Sequence, residues 1–583
     1  MQQKSGRNRS DSRGVAIRTA LKTRLASEDG ALLPLALMMF VFMMCVTGLA
    51  IDFVREEEMR TKIQNTLDRA VLAATSLSQD LDPVEVVSDY LNKAGLGAVA
   101  VNTVVQQGTN MEWRQVTATT DDSINTMFGK LVGINTLGVS GNSQAREEIG
   151  NVEISLVLDI SGSMDQNIYH PTDSRYNGVY PTRMDKLRSA ATTFVGKMFD
   201  SVQGPDVPAG RLSISVVPYN QQVSLGSTTA AGFTLSSDHT QNTCADVEML
   251  STSSLAISPS TTLQRTMYGD SFNYSGQLAL TGTPWSVSPD TYVENCPEYS
   301  YASVLAWAND KTKINTRING LSAAGDTGID IGARWGLALL DPSTQPALTT
   351  LIGKGSVDSV LSGRPFNYAS TASTQEDSAM KVMVLMTDGQ NTRSYSTKAA
   401  YRTGNSGFYS TKSATTFSAP TTSSRGSTSD WASLYYYDAT KKQYYSMSGD
   451  NWRPSVSGKL YPITWETIWG KNYTLQYVAQ TFLYPPWHAA NTSVTKQSAY
   501  DTMAIKSEFD GKDTALNDLC TVAKDSSHDI YIFTVAVDAP SDGAAILKKC
   551  ATNAGYAYDV DSNDLSTAFT SIASSINALR LTN

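Results

Sequence analysis

The hydrophobic pattern begins with a long uncharged segment near the start of the chain. Residues 31–51 contain no charged side chain. At about 1.5 Å per residue, a helix of this length crosses a hydrocarbon core of about 30 Å. Apolar residues then recur at steps of three and four up to residue 74, which predicts that helix continues. We therefore expect a transmembrane helix over 31–52, entered at Gly30 and left at Asp52, and then a stalk helix over 53–80.

The pattern changes again in the remainder of the chain. Residues 81–150 alternate apolar and polar positions, which predicts a small strand-rich module. From 151 to 583, near-continuous apolar runs alternate with amphipathic helical segments, as expected for strands that are covered on both faces. The predicted fold class is therefore α/β, with a doubly wound, mostly parallel sheet.

Two long polar stretches interrupt this sheet pattern. They cover 221–310 and 391–495, and the second is rich in Tyr and Trp. Both follow predicted strands at their carboxyl ends, the edge at which open α/β sheets bind ligands. They are either functional insertions or tolerated surface loops, and the sequence leaves both interpretations open.

The distribution of charge predicts an orientation. Residues 1–24 carry seven basic residues and one acid, whereas the residues directly after the apolar segment include the acids Asp52, Glu56, Glu57 and Glu58. The positive-inside rule places a basic tail, 1–30, in the cytoplasm. The bulk of the chain then lies across the inner membrane, in the periplasm or at the surface. A cleaved signal peptide is one alternative, although its apolar region is usually only about 7–15 residues long. A buried core helix is another.

Composition narrows the class of partner and the compartment. The formal net charge is −9, so no basic surface for nucleic acid is implied. Of five cysteines, Cys45 lies in the apolar segment, and an even number outside the membrane fits an oxidising compartment. Three pairings of those four are possible. Proximity along the chain favours Cys244 with Cys296 and Cys520 with Cys550.

A cluster of oxygen-bearing side chains follows the first apolar strand of the sheet region. Asp159, Ser161 and Ser163 alternate along the loop, with Gly162 between the serines. One carboxylate and two hydroxyls are hard donors, which suit Mg²⁺ or Mn²⁺ better than zinc. The pattern D-x-S-x-S is short, and in a Ser-rich chain of this length it also arises by chance.

Two later segments complete a recognisable set. GDTGIDIGARWGL supplies Thr327, and VMVLMTDGQ supplies Asp388 at the end of a predicted strand. Together with the first loop, they resemble the metal-ion-dependent adhesion site of the von Willebrand factor A (vWA) family. The resemblance implies that Ser161 and Ser163 bind a divalent metal directly. Mg²⁺ is the first choice, and Mn²⁺ and Ca²⁺ are the alternatives.

The same resemblance assigns the remaining roles. Thr327 would bind the metal directly or through water, and Asp159 and Asp388 would hold its coordinating waters. One coordination position would stay open for an acidic group of a protein partner. The nearby acids Asp165, Asp326 and Asp330 are expected to be exposed loop or capping residues.

The first helix resembles a second family. The segment 28–75 contains G-L-A-x-D at the exit of the span and then a helix with the pattern K/R-x-Q-x-x-x-D-x-A-x-L-A-A. It resembles the N-terminal segment of TadG-like proteins of the tight-adherence (Flp) pilus system, and the C-terminal region with Cys520 and Cys550 resembles TadG-type A domains. The resemblance implies pilus-assembly components as partners. Glu28 lacks the spacing of a prepilin cleavage site, so processing as a pilin is not expected.

These patterns favour a membrane-anchored envelope protein of a tight-adherence pilus system that binds a partner through its vWA domain. The alternative is a surface adhesin that also uses the Tyr/Trp-rich insertion. A chelatase-type domain that drives a cytosolic ATPase is opposed by the predicted topology. An enzyme is not expected, because Ser161 has no evident His partner and 162–164 do not form G-x-S-x-G.

Overall fold

The computed structural model describes residues 32–582 apart from 77–78, 80, 108–112, 149, 167–180, 205–206, 268–294, 373–377, 414–415, 418–430 and 471–472. The chain divides into two compact units after residue 149. The predicted basic tail, including Gly30, lies outside the described residues.

The described residues of the first unit form two α-helices and a three-stranded antiparallel sheet in the order β1-β2-β3. The elements are α1 (Leu32–Thr75), α2 (Pro83–Lys93), β1 (Val101–Gln107), β2 (Trp113–Asn125) and β3 (Thr136–Glu148). The predicted span and stalk form one continuous helix, which ends at Thr75 rather than at residue 80. Its first half is long and apolar enough to cross a membrane.

The second half of α1 forms the core of this unit. Its apolar stripe, which includes Ile63, Leu67 and Val71, is fully buried with Val116 of β2. The stripe therefore has its partner within the chain. The module after the long helix is not made of strands alone, because α2 precedes them. The Asp82 side chain accepts a hydrogen bond from the Val84 N–H, and Pro83 occupies the first turn, so both residues favour a helix start here.

The second unit contains thirteen strands among its described residues. In chain order they are β4 (Asn151–Asp159), β5 (Leu212–Tyr219), β6 (Leu305–Ala308), β7 (Ala379–Thr387), β8 (Ser394–Thr397), β9 (Asn405–Ser410), β10 (Leu434–Asp438), β11 (Gln443–Ser446), β12 (Asn451–Arg453), β13 (Tyr461–Thr464), β14 (Ala504–Ser507), β15 (Tyr531–Val537) and β16 (Ala557–Val560).

The described residues of the second unit also form twelve α-helices. They are α3 (Arg183–Val202), α4 (Gly226–Ala230), α5 (Lys311–Asn319), α6 (Ile329–Ala338), α7 (Gln345–Gly353), α8 (Trp465–Trp469), α9 (Leu475–Tyr477), α10 (Tyr484–Ala490), α11 (Lys496–Met503), α12 (Phe509–Lys524), α13 (Ser541–Cys550) and α14 (Leu565–Thr582). One π-helical turn, Val478–Leu483, connects α9 to α10.

Six strands form the main sheet in the order β16-β15-β7-β4-β5-β6. All neighbours are parallel except β5 and β6. Alternate residues of β4 enter different cores: Val157 packs with α6, whereas Ile154 and Leu156 pack with α3 and α14. Both faces of the sheet are thus covered by helices, and β4 is buried along its whole length. This explains its unbroken apolar run.

The connections place a crevice at the carboxyl end of the central strands. The chain passes from β4 to β5 on one side, whereas β7 lies on the other side of β4. Strand order therefore reverses at the β4–β7 pair, and open α/β sheets bind ligands outside the strand ends at such a point. Asp159 ends β4, and Asp388 directly follows β7.

The two interruptions of the sheet differ from their predicted bounds. The strand β6, which lies inside the predicted insertion 221–310, is the antiparallel edge of the main sheet. The second insertion is entered and left through the antiparallel pair β8 and β14. Within it, a five-stranded antiparallel sheet, in the order β12-β11-β10-β9-β13, covers an aromatic core that includes Phe408, Trp431 and Phe482.

Candidate metal-binding site

The first candidate residue, Asp159, is fully buried at the end of β4. Its Oδ1 accepts a hydrogen bond of 2.7 Å from the backbone N–H of Ser161, and its Oδ2 accepts one of 2.6 Å from the Thr387 hydroxyl. These bonds hold the carboxylate beneath the loop and link the end of β4 to the end of β7.

The two serines and the second aspartate form a short chain of contacts. Ser161 Oγ lies 3.0 Å from Ser163 Oγ, and the Ser163 hydroxyl donates to Asp388 Oδ1 at 2.6 Å. Adjacent ligands of an octahedral Mg²⁺ at about 2.1 Å lie about 3.0 Å from each other. The spacing of the two hydroxyls therefore fits adjacent positions of such an ion.

Thr327 lies in the loop before α6, beside the ends of β4 and β7. Its N–H donates to the Thr392 hydroxyl at 3.1 Å, and the Thr392 N–H donates to the Thr327 carbonyl at 2.8 Å. The first and second loops also touch, because the Gly162 N–H donates to the Gly325 carbonyl at 2.8 Å. A Cβ atom at residue 162 would lie 3.3 Å from that carbonyl oxygen, so a side chain there would crowd the contact.

All five predicted residues thus come together at one edge of the sheet. Ser163, Thr327 and Asp388 line a cleft of ≈ 580 Å³. Asp159 and Ser161 are buried and do not line it. Of the three that line it, Ser163 is half-buried, whereas Thr327 and Asp388 are buried.

Two charged residues of the site were not predicted. The Arg183 guanidinium, at the start of α3, contacts Asp388 Oδ2 at 2.8 Å and Asp538 Oδ2 at 3.2 Å. Asp538 follows the buried strand β15, just as Asp388 follows β7, so the strand-end rule would have found it. Arg183 had no such signal, because a basic residue in the first turn of a helix is common on protein surfaces.

Burial and like charge make the two carboxylates difficult to ionise without a cation. Burial raises the pKa of Asp159 to about 7, and the charge of Asp388 adds to the effect. Burial likewise raises the pKa of Asp388, while hydrogen bonds from Ser163 and Arg183 oppose the rise. A bound divalent cation would reverse this preference and favour both ionised forms.

The three acids near the site differ in how far they are exposed. Asp165 lies in the 3-10 turn Gly162–Asp165 and is exposed, and Asp326 lines the cleft. Asp330 was expected to be an exposed loop or capping residue, but it is buried. It lies in the first turn of α6 and pairs with Lys512 at 3.1 Å. Asp330 therefore links α6 to α12 through a buried ion pair.

Both favoured cysteine pairs are disulfides in the structure. Cys244 is bonded to Cys296, and Cys520 to Cys550, while Cys45 is free. The second bond joins α12 to α13 on one face of the main sheet.

Comparison with known proteins gives a family match for the N-terminal segment. The family model "Putative Flp pilus-assembly TadE/G-like" matches residues 30–77. This range covers the apolar half of α1 and the half that packs in the first unit. No curated protein matches the chain.

Solved structures give weaker likenesses. The pilus adhesin SpaC from Lactobacillus rhamnosus GG is 10% identical, with a TM-score of 0.29 over 82% of this chain and 34% of SpaC. This chain thus spans about a third of the length of SpaC. The vWF domain of the type V pili tip protein Mfa5 from Porphyromonas gingivalis is 13% identical, with a TM-score of 0.29 over 74% of this chain and 97% of that domain. The PilB minor pilin from Streptococcus sanguinis is 10% identical, with a TM-score of 0.27 over 82% of this chain and 78% of PilB. These TM-scores are too low to carry an argument.

Proposed function

We propose that this chain is a membrane-anchored envelope protein of a tight-adherence (Flp) pilus system, whose second unit is a vWA-type domain that binds a protein partner through a divalent metal. The match over residues 30–77 supports the pilus setting. The contact chain of Ser161, Ser163 and Asp388 at the β4–β7 crevice carries the metal-site proposal.

The donor set fits Mg²⁺ more closely than a soft metal. Ser161, Ser163 and Thr327 would offer neutral hydroxyl oxygens, and Asp159 and Asp388 would accept hydrogen bonds from coordinating waters. When bound, the metal supplies a Lewis acid for an incoming carboxylate oxygen. The chain itself positions the hydroxyls and shields the buried Asp159 from solvent.

A binding role is proposed in preference to catalysis because of the residues around the site. The described lining of the cleft contains no histidine, cysteine or lysine. Ser161 and Ser163 contact each other and Asp388, rather than a general base of the kind that activates a nucleophilic serine. The cleft opens at the sheet edge, where a partner's acidic side chain could enter.

The anchoring proposal places the second unit outside the cytoplasm. The apolar half of α1 crosses the inner membrane, and the basic residues before it stay in the cytoplasm. The two disulfides of the second unit support this orientation, because such bonds persist in oxidising compartments.

Calorimetric titration of the full chain with MgCl₂ tests the metal site. The variant Ser161→Ala/Ser163→Ala should lose measurable binding. The matched control is Ser258→Ala/Ser260→Ala, an exposed pair with the same spacing in sequence and hydroxyls 2.9 Å apart. It should bind like the unaltered chain. Equal binding by both variants would refute the site.

Capture of pilus components from envelope extracts tests the partner. We expect capture by the unaltered chain with magnesium, and its loss with a chelator or with Ser161→Ala/Ser163→Ala. Capture that persists both with the chelator and in the double variant, while calorimetry still shows a metal site, would refute only the role of the metal in partner binding. The metal site itself would stand.

The second candidate function, a surface adhesin, is favoured by one face of the insertion sheet. Tyr437 and Tyr444 are cross-strand neighbours with ring centroids 4.9 Å apart, and Tyr409 lies 6.0 Å from Tyr444. All three are only partly buried, and aromatic side chains of this kind are frequent in interfaces. The variant Tyr437→Ala/Tyr444→Ala should reduce attachment of cells to surfaces without changing magnesium binding. Unchanged attachment would exclude this use of the face.

A further inference from the structure

The turn between β2 and β3 of the first unit has an unusual composition. Residues 126–135, TMFGKLVGIN, carry five large apolar side chains and a single charge, on Lys130. Met127, Leu131, Val132 and Ile134 are 65%, 67%, 49% and 40% exposed. Hairpin turns on water-facing surfaces are normally built from Gly, Asn, Asp and Pro instead. Contiguous exposed apolar residues of this kind mark an interaction surface.

This turn is tied to the long helix at the end of its apolar half. The Asp52 carboxylate, which is 1% exposed, accepts three backbone hydrogen bonds of 2.8 Å, from the N–H groups of Met127, Phe128 and Gly129. Three charge-assisted bonds to one carboxylate fix the depth of the turn relative to α1.

The Phe128 ring contacts α1 closer to the helix N-terminus than Asp52 does, at Gly48. A Cβ atom at Gly48 would lie only 2.5 Å from the Phe128 ring, so the ring rests directly on the helix backbone there. Gly48 is four residues before Asp52, which corresponds to about 6 Å along the helix axis. The ring also borders a small apolar groove lined by Phe40, Met44 and Ile51.

We propose that the apolar turn 126–135 enters the outer leaflet of the membrane that α1 crosses, as a second membrane contact of the first unit. This inference rests on the proposed membrane span. The apolar half of α1, from residue 32 to 51, requires lipid around it, and the turn is attached to that half at its exit. The exposed side chains of the turn are therefore continuous with a surface that already faces acyl chains.

The single charge of the turn agrees with a lipid contact. Lys130 is exposed, and a lysine near an interface can extend its ammonium group to the headgroups while its methylenes stay in the apolar layer. The 3-10 helix Gly129–Val132 also satisfies part of the backbone hydrogen bonding of the turn, which lowers the cost of leaving water.

Spin labelling of the full chain in vesicles of phosphatidylcholine and phosphatidylglycerol tests the proposal. Single labels are placed by Leu131→Cys, Val104→Cys or Phe42→Cys, each with Cys45→Ala, which removes the free thiol. Val104 is a matched control, since it is 46% exposed in the same unit and pairs with Thr117, far from the turn along β2. We expect collisions with a water-soluble nickel reagent to be about fivefold fewer at residue 131 than at 104, because hydrocarbon excludes polar solutes.

The label at residue 42 distinguishes an error in the membrane span from an error in the contact of the turn. If this label is reached by the nickel reagent, the span is wrong and the inference falls with it. If residue 42 is protected while 131 is as accessible as 104, only the inference is refuted. Spin–spin broadening at 131 that disappears on dilution with unlabelled chain would show a second copy on the turn instead, and would also overturn the proposal.

Discussion

At the scale of single residues, Asp159 has the most constrained environment in the site. It is fully buried, and both its oxygens accept hydrogen bonds. A buried carboxylate stays ionised only with strong compensation, and here the next carboxylate, Asp388, adds repulsion. The proton therefore competes with any cation for this site.

This competition predicts a pH dependence of stability. Burial raises the pKa of Asp159 to about 7 from the ordinary value of about 3.9 for an aspartate, so between these values the folded metal-free chain holds a proton that the unfolded chain has lost. Between those pH values, stability should fall as pH rises. Magnesium requires the ionised form and should raise the unfolding midpoint strongly near pH 8 and little near pH 5. Thermal unfolding with and without MgCl₂ measures this. In Asp159→Asn the part of the pH dependence that magnesium abolishes should be lost, while the contributions of other buried acids such as Asp246 remain. An equal effect of magnesium at both pH values would contradict the prediction.

Arg183 gives a second residue-scale prediction. Its guanidinium lies 2.8 Å from Asp388 and repels a cation bound nearby. Arg183→Gln should therefore tighten magnesium binding by roughly tenfold, since removal of a nearby like charge is worth on the order of 1 kcal/mol or more at the effective dielectric of protein surfaces. Calorimetric titration measures this. Lys197→Gln, on the same helix but remote from the site, should leave the affinity unchanged. Weaker binding in Arg183→Gln would show that the arginine supports the site.

The sequence identified the site residues to different degrees. Asp159, Ser161 and Ser163 were recognisable only together with Thr327 and Asp388, because each of the three loops alone is too short a signal. Arg183 was not predictable, since its role depends on the distance from α3 to β7 in the fold.

At the scale of elements, the two insertions are joined through a buried cluster of charges. Arg402 of the second insertion pairs with Asp238 at 2.8 Å and with Asp246 at 3.0 Å, both in the first insertion. All three are buried. Burial raises the pKa of Asp246 to about 6 even though Arg402 opposes the rise. The insertions are therefore coupled by electrostatics as well as by apolar contact.

Removal of the shared cation should be strongly destabilising. Arg402→Met leaves two buried carboxylates without their partner, and the loss of one member of such a set typically costs about 3–5 kcal/mol. A lower unfolding midpoint, and faster hydrogen exchange in β9 and β10, would report the loss. Addition of Asp238→Asn and Asp246→Asn to Arg402→Met should restore part of the stability. An effect of Arg402→Met no larger than that of the exposed Arg453→Met would contradict the prediction.

Elements were predictable where burial imposes a simple period. The strands β4 and β7 are covered on both faces, so their apolar runs were visible. The strand β6 is only four residues long and lies between polar segments, which hid it. The helix α2 was read as part of a strand region because its valines also fit an alternating pattern. Tertiary packing decided the place of β6, whereas the cap at Asp82 and Pro83 was a local signal for α2 that the alternating pattern masked.

At the scale of the whole molecule, topology and redox state depend on each other. The apolar half of α1 and the basic residues before it predict that everything after residue 52 leaves the cytoplasm. The two disulfides lie in that part, and the free Cys45 lies within the proposed span. The arrangement of thiols should therefore report the orientation of the chain.

Thiol alkylation of the chain purified from cell envelopes tests this arrangement. Under denaturing, non-reducing conditions Cys45 alone should react, and after reduction all five cysteines should react.

The disulfides close segments with sequence separations of 52 and 30 residues. In the chain-entropy model each bond stabilises the fold by about 4 kcal/mol. A chain that begins after residue 52 lacks Cys45, and if it stays in the cytoplasm its four remaining cysteines should all react and its unfolding midpoint should be lower. In the full chain from the envelope, none of the same four cysteines should react before reduction. Reactive Cys520 and Cys550 in the envelope sample would contradict the proposed orientation, because an oxidising compartment would have joined them.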